Sequence, residues 1–310
     1  MMRVKEKLTP EIIEIINDTL LINEGEIKDV FALKKGMTNK SFSFCCGEEK
    51  YIMRIPGEGT DSLINRYNEK DVYAILKGHG ICDEPLYINP DNGYKITKFY
   101  KNARVCDANN IKDIKRCMEC LRRFHDLELQ VEHKFDVFQQ VEFYESLWEG
   151  KQSSYLDYLS TKEKIMSLKA YIDENIGKRV LCHIDSVPDN FLFVQDSSRN
   201  EKIKLIDWEY AGMADPHIDI AMFCIYSLYN KQQIDSIIDL YFPEACSKEI
   251  RIKIYCYIAV CGLLWSNWCE YKRILGAEFG EYAQRQYRYA KEYYLLVERE
   301  LNALGGLISE

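Results

Sequence analysis

The feature that most constrains the fold of this chain is a polar loop followed by two short strands. The loop, His183 to Asn190, reads His-Ile-Asp-Ser-Val-Pro-Asp-Asn. Phe191 to Gln195 and Lys202 to Ile206 have the composition of strands, and the polar segment between them predicts a hairpin. Asn190 precedes the first strand and Asp207 follows the second, so antiparallel pairing should bring both side chains to the same end of the hairpin.

The spacing within the loop predicts phosphoryl-transfer chemistry. His183, Asp185 and Asn190 match the H-x-D-x-x-x-x-N pattern of the catalytic loop of kinase-like folds, and Asp207 corresponds to the downstream metal-binding aspartate. An amide and a carboxylate suit Mg²⁺, so we expect Asn190 and Asp207 to hold one ion. Asp185 would accept the proton of an incoming hydroxyl. The alternative is a polar loop whose side chains only cap turns.

The pattern of the chain changes near Tyr100. The part before it predicts a helix led by Thr9-Pro10, an antiparallel meander from Val30 to Ile55, a helix from Asp61 to Lys77, and strands at Pro85 to Ile88 and Tyr94 to Phe99. From Ile111 onward the pattern is mainly helical, interrupted once by the hairpin. We therefore expect an α+β, two-lobed fold. Its parts are a small antiparallel-sheet lobe with one main helix, residues 1–100, and a large helical lobe, residues 101–310.

Composition limits the classes of partner. The chain has 310 residues, 49 acidic and 41 basic, with a net charge of -8. This charge disfavours nucleic acid and anionic membranes and favours a small cationic substrate. The longest apolar stretch, Tyr255 to Trp265, is shorter than the roughly 20 residues that span a bilayer, and no signal-peptide h-region follows the N-terminus. We expect a cytoplasmic protein with no membrane insertion.

Twelve cysteines should then be reduced thiols. Cys117 and Cys120 form a lone C-x-x-C within a helical pattern, without a second spaced pair. We expect them to pack as small apolar side chains, and a metal site is the alternative.

The sequence resembles the choline and ethanolamine kinase family, within the larger group that includes the aminoglycoside phosphotransferases. The resemblance extends from about Phe31 to Trp268. The segment 36–41, Gly-Met-Thr-Asn-Lys-Ser, resembles the phosphate loop of the family, and the segment 53–57, Met-Arg-Ile-Pro-Gly, resembles the strand whose basic residue holds the ATP phosphates. The segment 206–210, Ile-Asp-Trp-Glu-Tyr, is similar to the metal-site strand end of choline-type kinases.

The resemblance implies ATP and Mg²⁺, with the nucleotide bound by the small lobe. The residues that it places around the nucleotide are Gly36, Thr38, Asn39, Arg54, Glu69 and Phe99. Arg54 can hold phosphate oxygens bidentately, and Glu69 should orient Arg54 as the helix glutamate orients the lysine of protein kinases. Glu58 is a competing partner for Arg54. Phe99 lies in a segment similar to the hinge, where main-chain groups bind adenine.

The choice of acceptor depends on aromatic residues. Trp265 and Trp268 are three residues apart in a helical pattern, which places both indoles on one side. They resemble the tryptophan pair of the choline pocket, where aromatic faces attract a quaternary ammonium; the alternative is a pair of core tryptophans. Further acceptor-side candidates are Glu209, Asp219, Tyr226 and Glu270. For Asp219 the alternative is a brace that binds backbone N–H groups of the catalytic loop.

These inferences predict transfer of the γ-phosphate of ATP to the choline hydroxyl, directly and in line, with Asp185, Asn190 and Asp207 as the catalytic residues. A kinase for ethanolamine, thiamine or an aminoglycoside is the nearest alternative. A pseudokinase is a second alternative, and the joint presence of the three catalytic residues speaks against it. No sequence feature indicates an oligomeric state.

Overall fold

The computed structural model describes residues 7–33, 39–57, 63–195 and 200–305. The helices are α1 (Pro10–Leu20), α2 (Arg66–Leu76), α3 (Ile111–His125), α4 (Val137–Ser146), α5 (Tyr158–Asn175), α6 (His217–Tyr226), α7 (Lys231–Tyr241), α8 (Lys248–Ile274) and α9 (Glu281–Ala303). The strands are β1 (Ile27–Ala32), β2 (Asn39–Cys46), β3 (Glu49–Pro56), β4 (Tyr87–Ile88), β5 (Lys95–Lys98), β6 (Arg104–Val105), β7 (Val180–Cys182), β8 (Phe191–Gln195), β9 (Glu201–Leu205) and β10 (Gly212–Ala214). These elements form two compact units, residues 1–105 with 191–211 and residues 106–190 with 212–310.

The first unit is built on a five-stranded antiparallel sheet of order β1-β2-β3-β5-β4. Phe42 and Phe44, two residues apart on β2, share one face of the strand and are buried. Ile12 and Ile16, one turn apart on α1, belong to the same apolar core. Thr9 caps α1 by accepting a hydrogen bond from the Ile12 amide at 3.4 Å. The five strands and the helix expected between them are confirmed.

Helix α2 begins later than the sequence predicts. The described residues 63–65 are not helical, and Asp61 lies outside the described residues. Asn65 supplies the N-cap, and its Oδ1 accepts hydrogen bonds from the amides of Tyr67 at 3.0 Å and Asn68 at 3.3 Å. A capping asparagine satisfies N–H groups that the first turn leaves without partners, so the helix starts at Arg66.

The hairpin predicted after residue 190 is confirmed. β8 and β9 pair antiparallel, with Phe191 opposite Leu205. β6 joins the edge of β8 through Arg104 opposite Phe193. Because of this pairing, residues 191–211 pack with the first unit although they lie far along the chain. The functional division at residue 100 stays a prediction.

The second unit is mainly helical and is organised around α8. The glycine Gly262 lies where α8 approaches α9, and a Cβ there would lie 2.8 Å from the carbonyl oxygen of Gln286. A side chain at this position would therefore push the two helices apart. Cys117 and Cys120 of α3 are both buried, and burial raises the pKa of the Cys120 thiol to about 11. Packing as small apolar side chains accounts for both.

Helix α8 contains the longest apolar stretch of the sequence. Its 27 residues are long and apolar enough to cross a membrane by length and composition, so the apolar region is longer than the residues 255–265 suggest. Its most apolar 18-residue window is wholly buried inside the protein. Packing against other helices of the unit therefore accounts for its apolar character.

The strands β7 and β10 were not predicted. They pair antiparallel over three residues each, with Leu181 opposite Met213. β7 leads directly into the loop at His183. A three-residue strand is too short for an alternating pattern to distinguish it from a loop.

Candidate functional site

The loop that carries Asp185 is held from behind by Asp219, near the start of α6 in the same unit. Asp219 is fully buried. Its Oδ2 accepts a hydrogen bond from the His183 amide at 2.9 Å, and its Oδ1 accepts one from the Ile184 amide at 2.7 Å. Ile184 has φ 68°, a left-handed conformation that is strained for a β-branched residue. The carboxylate thus stabilises a backbone shape that the loop would otherwise avoid.

A histidine and a tyrosine complete this brace. His125 Nε2 lies 2.9 Å from Asp219 Oδ2, and His125 Nδ1 lies 2.8 Å from the Tyr241 hydroxyl. The Ser186 hydroxyl donates to the Asp219 carbonyl oxygen at 2.6 Å. These contacts fit the alternative in which Asp219 braces the loop. They also give His125 a structural role.

Within the loop, Asn190 and Asp185 are directly linked. Asn190 Nδ2 donates to the Asp185 carbonyl oxygen at 2.8 Å and to Asp185 Oδ2 at 3.1 Å. Asp185 is half-buried. Because the amide nitrogen of Asn190 faces Asp185, its Oδ1, which accepts no hydrogen bond among the described residues, is the atom suited to a cation.

In the first unit, the expected contact between Arg54 and Glu69 is present. Arg54 Nη2 lies 2.5 Å from Glu69 Oε2, and both side chains are buried. Burial opposes ionisation of Glu69, but Lys95, Arg54 and Arg66 outweigh it and lower its pKa to about 2. Burial also opposes the charge on Arg54, yet Glu69, Glu209 and Asp207 raise its pKa. Glu58, the competing partner, lies outside the described residues.

Two further cations contact Glu69, and sequence reasoning missed both. Arg66 Nη1 lies 3.2 Å from Glu69 Oε2, and Lys95 Nζ lies 3.3 Å from Glu69 Oε1. Lys95 is directly opposite Arg54 in the pairing of β3 and β5, and its Nζ donates to the Tyr73 hydroxyl at 2.7 Å. The sequence did offer one signal for Lys95. It lies between Tyr94 and Ile96 in a predicted strand, and a lysine in such a position can be buried against an acidic partner.

Asp207 lies just beyond β9 and contacts Arg54. Its Oδ1 is 3.2 Å from Arg54 Nη1, and its side chain is 35% exposed. Asp207 has φ 66°, and the next residue, Trp208, is fully buried and donates from Nε1 to the Leu205 carbonyl oxygen at 2.9 Å. The buried indole anchors the segment, which leaves the Asp207 carboxylate partly accessible. An accessible carboxylate is a donor suited to Mg²⁺.

Glu209, an acceptor-side candidate of the sequence, is buried among polar groups of the first unit. Its carboxylate is 2% exposed and accepts hydrogen bonds at Oε2 from Asn39 Nδ2 at 2.8 Å and from Arg66 Nη1 at 3.0 Å. Burial and then the charge of Asp207 raise its pKa. The structure therefore brings Glu209 together with the nucleotide-side candidates Asn39 and Arg54, all in the first unit.

The remaining nucleotide-side candidates are only partly described. Gly36 and Thr38 lie outside the described residues. Phe99 follows β5, and its amide donates to the Lys50 carbonyl oxygen at 2.9 Å, while Lys50 Nζ lies 4.1 Å from the centre of the Phe99 ring. This N–H group is thus used within the sheet, so adenine recognition by Phe99 would require another main-chain atom.

The acceptor-side aromatic candidates lie together in the second unit. The rings of Trp265 and Trp268 are 5.4 Å apart in an edge arrangement, and Trp268 is 5.1 Å from Phe279. Trp265 Nε1 donates to Met222 Sδ at 3.3 Å. Both indoles are more than nine-tenths buried, so packing is a large part of their role. Lys272 Nζ lies 5.4 Å from the Trp268 ring centre, within the range at which an indole attracts a cation.

Tyr226 contacts the loop, and beside it lies Tyr282, which sequence reasoning missed and whose amide donates to the Phe279 carbonyl oxygen at 3.1 Å. The Tyr226 hydroxyl donates to Asp189 Oδ2 at 3.3 Å, and its ring is 6.3 Å from that of Tyr282. Burial raises the pKa of Tyr282, and the charge of Asp185 contributes in the same direction. Tyr282 is one of many tyrosines in the helical pattern of α9, so no sequence signal distinguished it.

Glu270, the last acceptor-side candidate, is bound by its own neighbours. Its carboxylate accepts hydrogen bonds from the Ser154 amide at 3.0 Å and the Ser154 hydroxyl at 2.5 Å, and it pairs with Arg273 at 2.9 Å. These contacts join α8 to the segment before α5.

The fold places the chain in a structural class, the kinase-like fold. A crystal structure of an aminoglycoside phosphotransferase in a ternary complex with ADP and hygromycin B matches it with a TM-score of 0.60 at 15% identity, covering 94% of this chain and 98% of that one. At this identity the likeness shows the fold alone.

The sequence assigns the family within this class. The model of the choline/ethanolamine kinase family matches residues 30–255, and the chain belongs to that family. Protein LicA of Haemophilus influenzae is 27% identical over 266 residues, covering 81% of this chain and 96% of that protein. The crystal structure of choline kinase LicA from Streptococcus pneumoniae matches with a TM-score of 0.78 at 29% identity, covering 92% of this chain and 98% of that one.

A further crystal structure, of LicA in complex with AMP, matches with a TM-score of 0.76 at 28% identity, covering 93% of this chain and 98% of that one. Family membership makes this chain an amino-alcohol kinase, a phosphotransferase that acts on an alcohol and binds a nucleotide.

Proposed function

We propose that this protein transfers the γ-phosphate of ATP to the hydroxyl of choline, giving phosphocholine, with Mg²⁺ as the metal. The observation that carries the proposal is the loop at Asp185. It has the H-x-D-x-x-x-x-N spacing, it is fixed by Asp219 and by Asn190, and the aromatic cluster of Trp265, Trp268 and Phe279 lies in the same unit.

In the proposed mechanism, Asp185 orients the choline hydroxyl and accepts its proton as the oxygen attacks the γ-phosphorus in line, while the bond from that phosphorus to the oxygen of the leaving ADP breaks. Asn190 fixes the Asp185 carboxylate by donating to Oδ2. Fixing the base in advance reduces the reorganisation needed in the transition state. No covalent phosphoenzyme is required.

On the nucleotide side, Arg54 binds phosphate oxygens, and Glu69 fixes its guanidinium. Asn190 and Asp207 would hold Mg²⁺ through an amide oxygen and a carboxylate oxygen, a donor set that fits this ion. When bound, Mg²⁺ neutralises negative charge on the phosphates. Gly36, Thr38 and Asn39 would contribute to the phosphate loop and Phe99 to the adenine site.

Choline is the proposed acceptor because a trimethylammonium group cannot donate hydrogen bonds and is bound by aromatic faces instead. Trp265, Trp268 and Tyr226 supply such faces. The role of Glu209 on the acceptor side stays a prediction, and its contacts with Asn39 and Arg66 support a role on the nucleotide side.

The proposal is tested by incubating the purified protein with ATP, Mg²⁺ and a panel of choline, ethanolamine, thiamine and an aminoglycoside, and by following ADP release. We expect the largest kcat/KM for choline. A larger value for another acceptor would replace choline with that compound, and nucleotide binding without turnover on any acceptor would indicate a pseudokinase. Phosphocholine should be identified directly, because ADP release alone also reports ATP hydrolysis.

A further inference from the structure

Arg66, the first residue of α2, joins three separate parts of the first unit. Its Nη1 lies 3.2 Å from Glu69 Oε2 and 3.0 Å from Glu209 Oε2, and its Nη2 donates to Asn39 Oδ1 at 3.3 Å. The side chain of Arg66 is 7% exposed. A planar guanidinium holds several acceptors in fixed directions, so these contacts determine where the three side chains lie relative to one another.

The three partners belong to elements with proposed nucleotide-side roles. Asn39 begins β2, directly after the segment 34–38. Glu69 binds Arg54, and Glu209 lies two residues beyond Asp207. Arg66 therefore connects the start of β2, the Arg54 pair and the segment proposed to hold the metal.

The turn before β5 keeps room for this guanidinium. A Cβ at Gly93 would lie 3.0 Å from Arg66 Nε and 2.5 Å from Pro56 Cγ. Gly93 also has φ 67°, which favours glycine. The absence of a side chain at this position allows the turn to pack directly on Arg66.

Arg66 also affects how Arg54 divides its contacts among the neighbouring carboxylates. Arg54 Nη1 lies 3.2 Å from Asp207 Oδ1 and 3.6 Å from Glu209 Oε2, while Nη2 binds Glu69. Arg66 supplies a further cation to Glu69, which Lys95 also contacts, and to Glu209, so neither carboxylate depends on Arg54 alone. Without Arg66, Glu209 would be drawn closer to Arg54, which Glu69 also binds, and Arg54 would shift from its present position.

We propose that Arg66 is a positioning residue of the nucleotide side: by holding Glu69 and Glu209 together, it fixes Arg54 and the segment that carries Asp207 for binding of the ATP phosphates. The proposal rests on the proposed function for the nature of the reaction. A merely structural role for Arg66 makes a different prediction. Its loss would then lower the stability of the protein without lowering kcat/KM for ATP more than kcat/KM for the acceptor.

The test compares Arg66→Met with Lys70→Met. Lys70 lies on the same helix four residues later and is exposed, so its replacement removes one positive charge from α2 without touching the network. For Arg66→Met we expect kcat/KM for ATP to fall by about 10- to 100-fold, the range found when supporting partners of a site are removed. KM for the acceptor at saturating ATP should remain near that of the wild type. Lys70→Met should match the wild type in both.

Arg66→Lys keeps a buried positive charge and should fold if Arg66→Met does not. We expect it to recover only part of the lost ATP kcat/KM, because one ammonium cannot replace the fork that binds two carboxylates and an amide. In the double variant Arg66→Met/Glu209→Gln, the loss in kcat/KM for ATP should be smaller than the product of the two single losses. Both substitutions remove the same ion pair between Arg66 and Glu209.

Several results would overturn the proposal: ATP kcat/KM within threefold of the wild type in folded Arg66→Met or in Arg66→Lys, equal losses for ATP and acceptor, or independent effects in the double variant. Calorimetric titration of the same variants with MgATP separates this outcome from failure of the proposed function. If the wild type phosphorylates no amino alcohol, the proposed function fails, and the MgATP affinities still decide the role of Arg66.

Discussion

Replacing Asp219 with alanine should loosen the loop that carries Asp185. The carboxylate accepts hydrogen bonds from the amides of His183 and Ile184 at 2.9 and 2.7 Å, and His125 Nε2 lies 2.9 Å from it. Asp219 is fully buried, so in the variant these groups would lie in a space that water does not readily reach. Ile184, at φ 68°, would also lose the bond that holds its strained backbone.

The size of the effect follows from these contacts. A hydrogen bond to a charged acceptor contributes about 1.5–3 kcal/mol, and losses within one network are not additive. Removing one member of a buried charged network typically costs about 3–5 kcal/mol, and we expect a loss in this range for Asp219→Ala. Because total unfolding free energies are about 5–15 kcal/mol, the variant should still fold but be markedly less stable. Asp219→Asn keeps one acceptor oxygen, so its unfolding free energy should lie between those of the wild type and Asp219→Ala.

Urea unfolding followed by circular dichroism measures the change in stability, and kcat is then measured where each variant is folded. We expect kcat to fall by about 100-fold, since displacement of a catalytic group by about 1 Å has effects of this size. Asp239→Ala is the matched control, because this carboxylate is 65% exposed and paired with Arg251 at the surface. The control variant should lose less than about 1 kcal/mol of unfolding free energy. An unfolding free energy for Asp219→Ala that equals that of the control would refute the brace.

Three further predictions concern the chemistry. Asp185→Ala should abolish turnover, because the proton acceptor is lost. MgATP binding, measured by calorimetry, should stay close to that of the wild type, because Asn190 keeps its hydrogen bond to the backbone carbonyl oxygen of residue 185. Near-normal turnover would remove Asp185 from the mechanism. Asp207→Ala should weaken MgATP binding as well as turnover and shift the Mg²⁺ dependence of the activity to higher concentration, since a proposed metal ligand that also contacts Arg54 is lost. An unchanged Mg²⁺ dependence would contradict the role of Asp207 as a ligand. Trp265→Ala or Trp268→Ala should lower kcat/KM for choline about five- to thirtyfold, and less for ethanolamine, because a cation–π contact contributes about 1–2 kcal/mol. Equal losses for both acceptors in a folded variant would assign the indoles to packing alone.

Much of the fold could be predicted because local signals and packing agree. Phe42 and Phe44 alternate with polar residues and do line the core beneath β2, and Thr9 and Pro10 do start α1. The start of α2 was wrong because capping decides it. Asn65 satisfies the first amides of the helix, and hydrophobic periodicity does not reveal which polar residue takes that place.

The candidate site divides in the same way. Spacing along the chain singled out Asp185, Asn190 and Asp207, since they lie on one loop and at the end of one hairpin. Arg66 and Lys95 could not be found by spacing, because their contacts with Glu69 arise from helix and sheet packing. Glu209 shows the same limit. The sequence made it an acceptor-side candidate, and its contact with Arg66, which lies 143 positions away in the sequence, could not be found by spacing.

The buried charges of the first unit are better explained by positioning than by stability. Arg54, Arg66 and Lys95 are each less than a tenth exposed, and they face the carboxylates of Glu69 and Glu209. Replacing such a buried network by apolar side chains of similar volume often leaves a protein equally or more stable, so stability alone does not account for it. A guanidinium that is fixed before a phosphate arrives, by contrast, needs little reorganisation when it binds. The same reasoning applies to the second unit, where a fully buried carboxylate holds a strained loop backbone. In both units, buried charge fixes the geometry of groups that the proposed reaction uses.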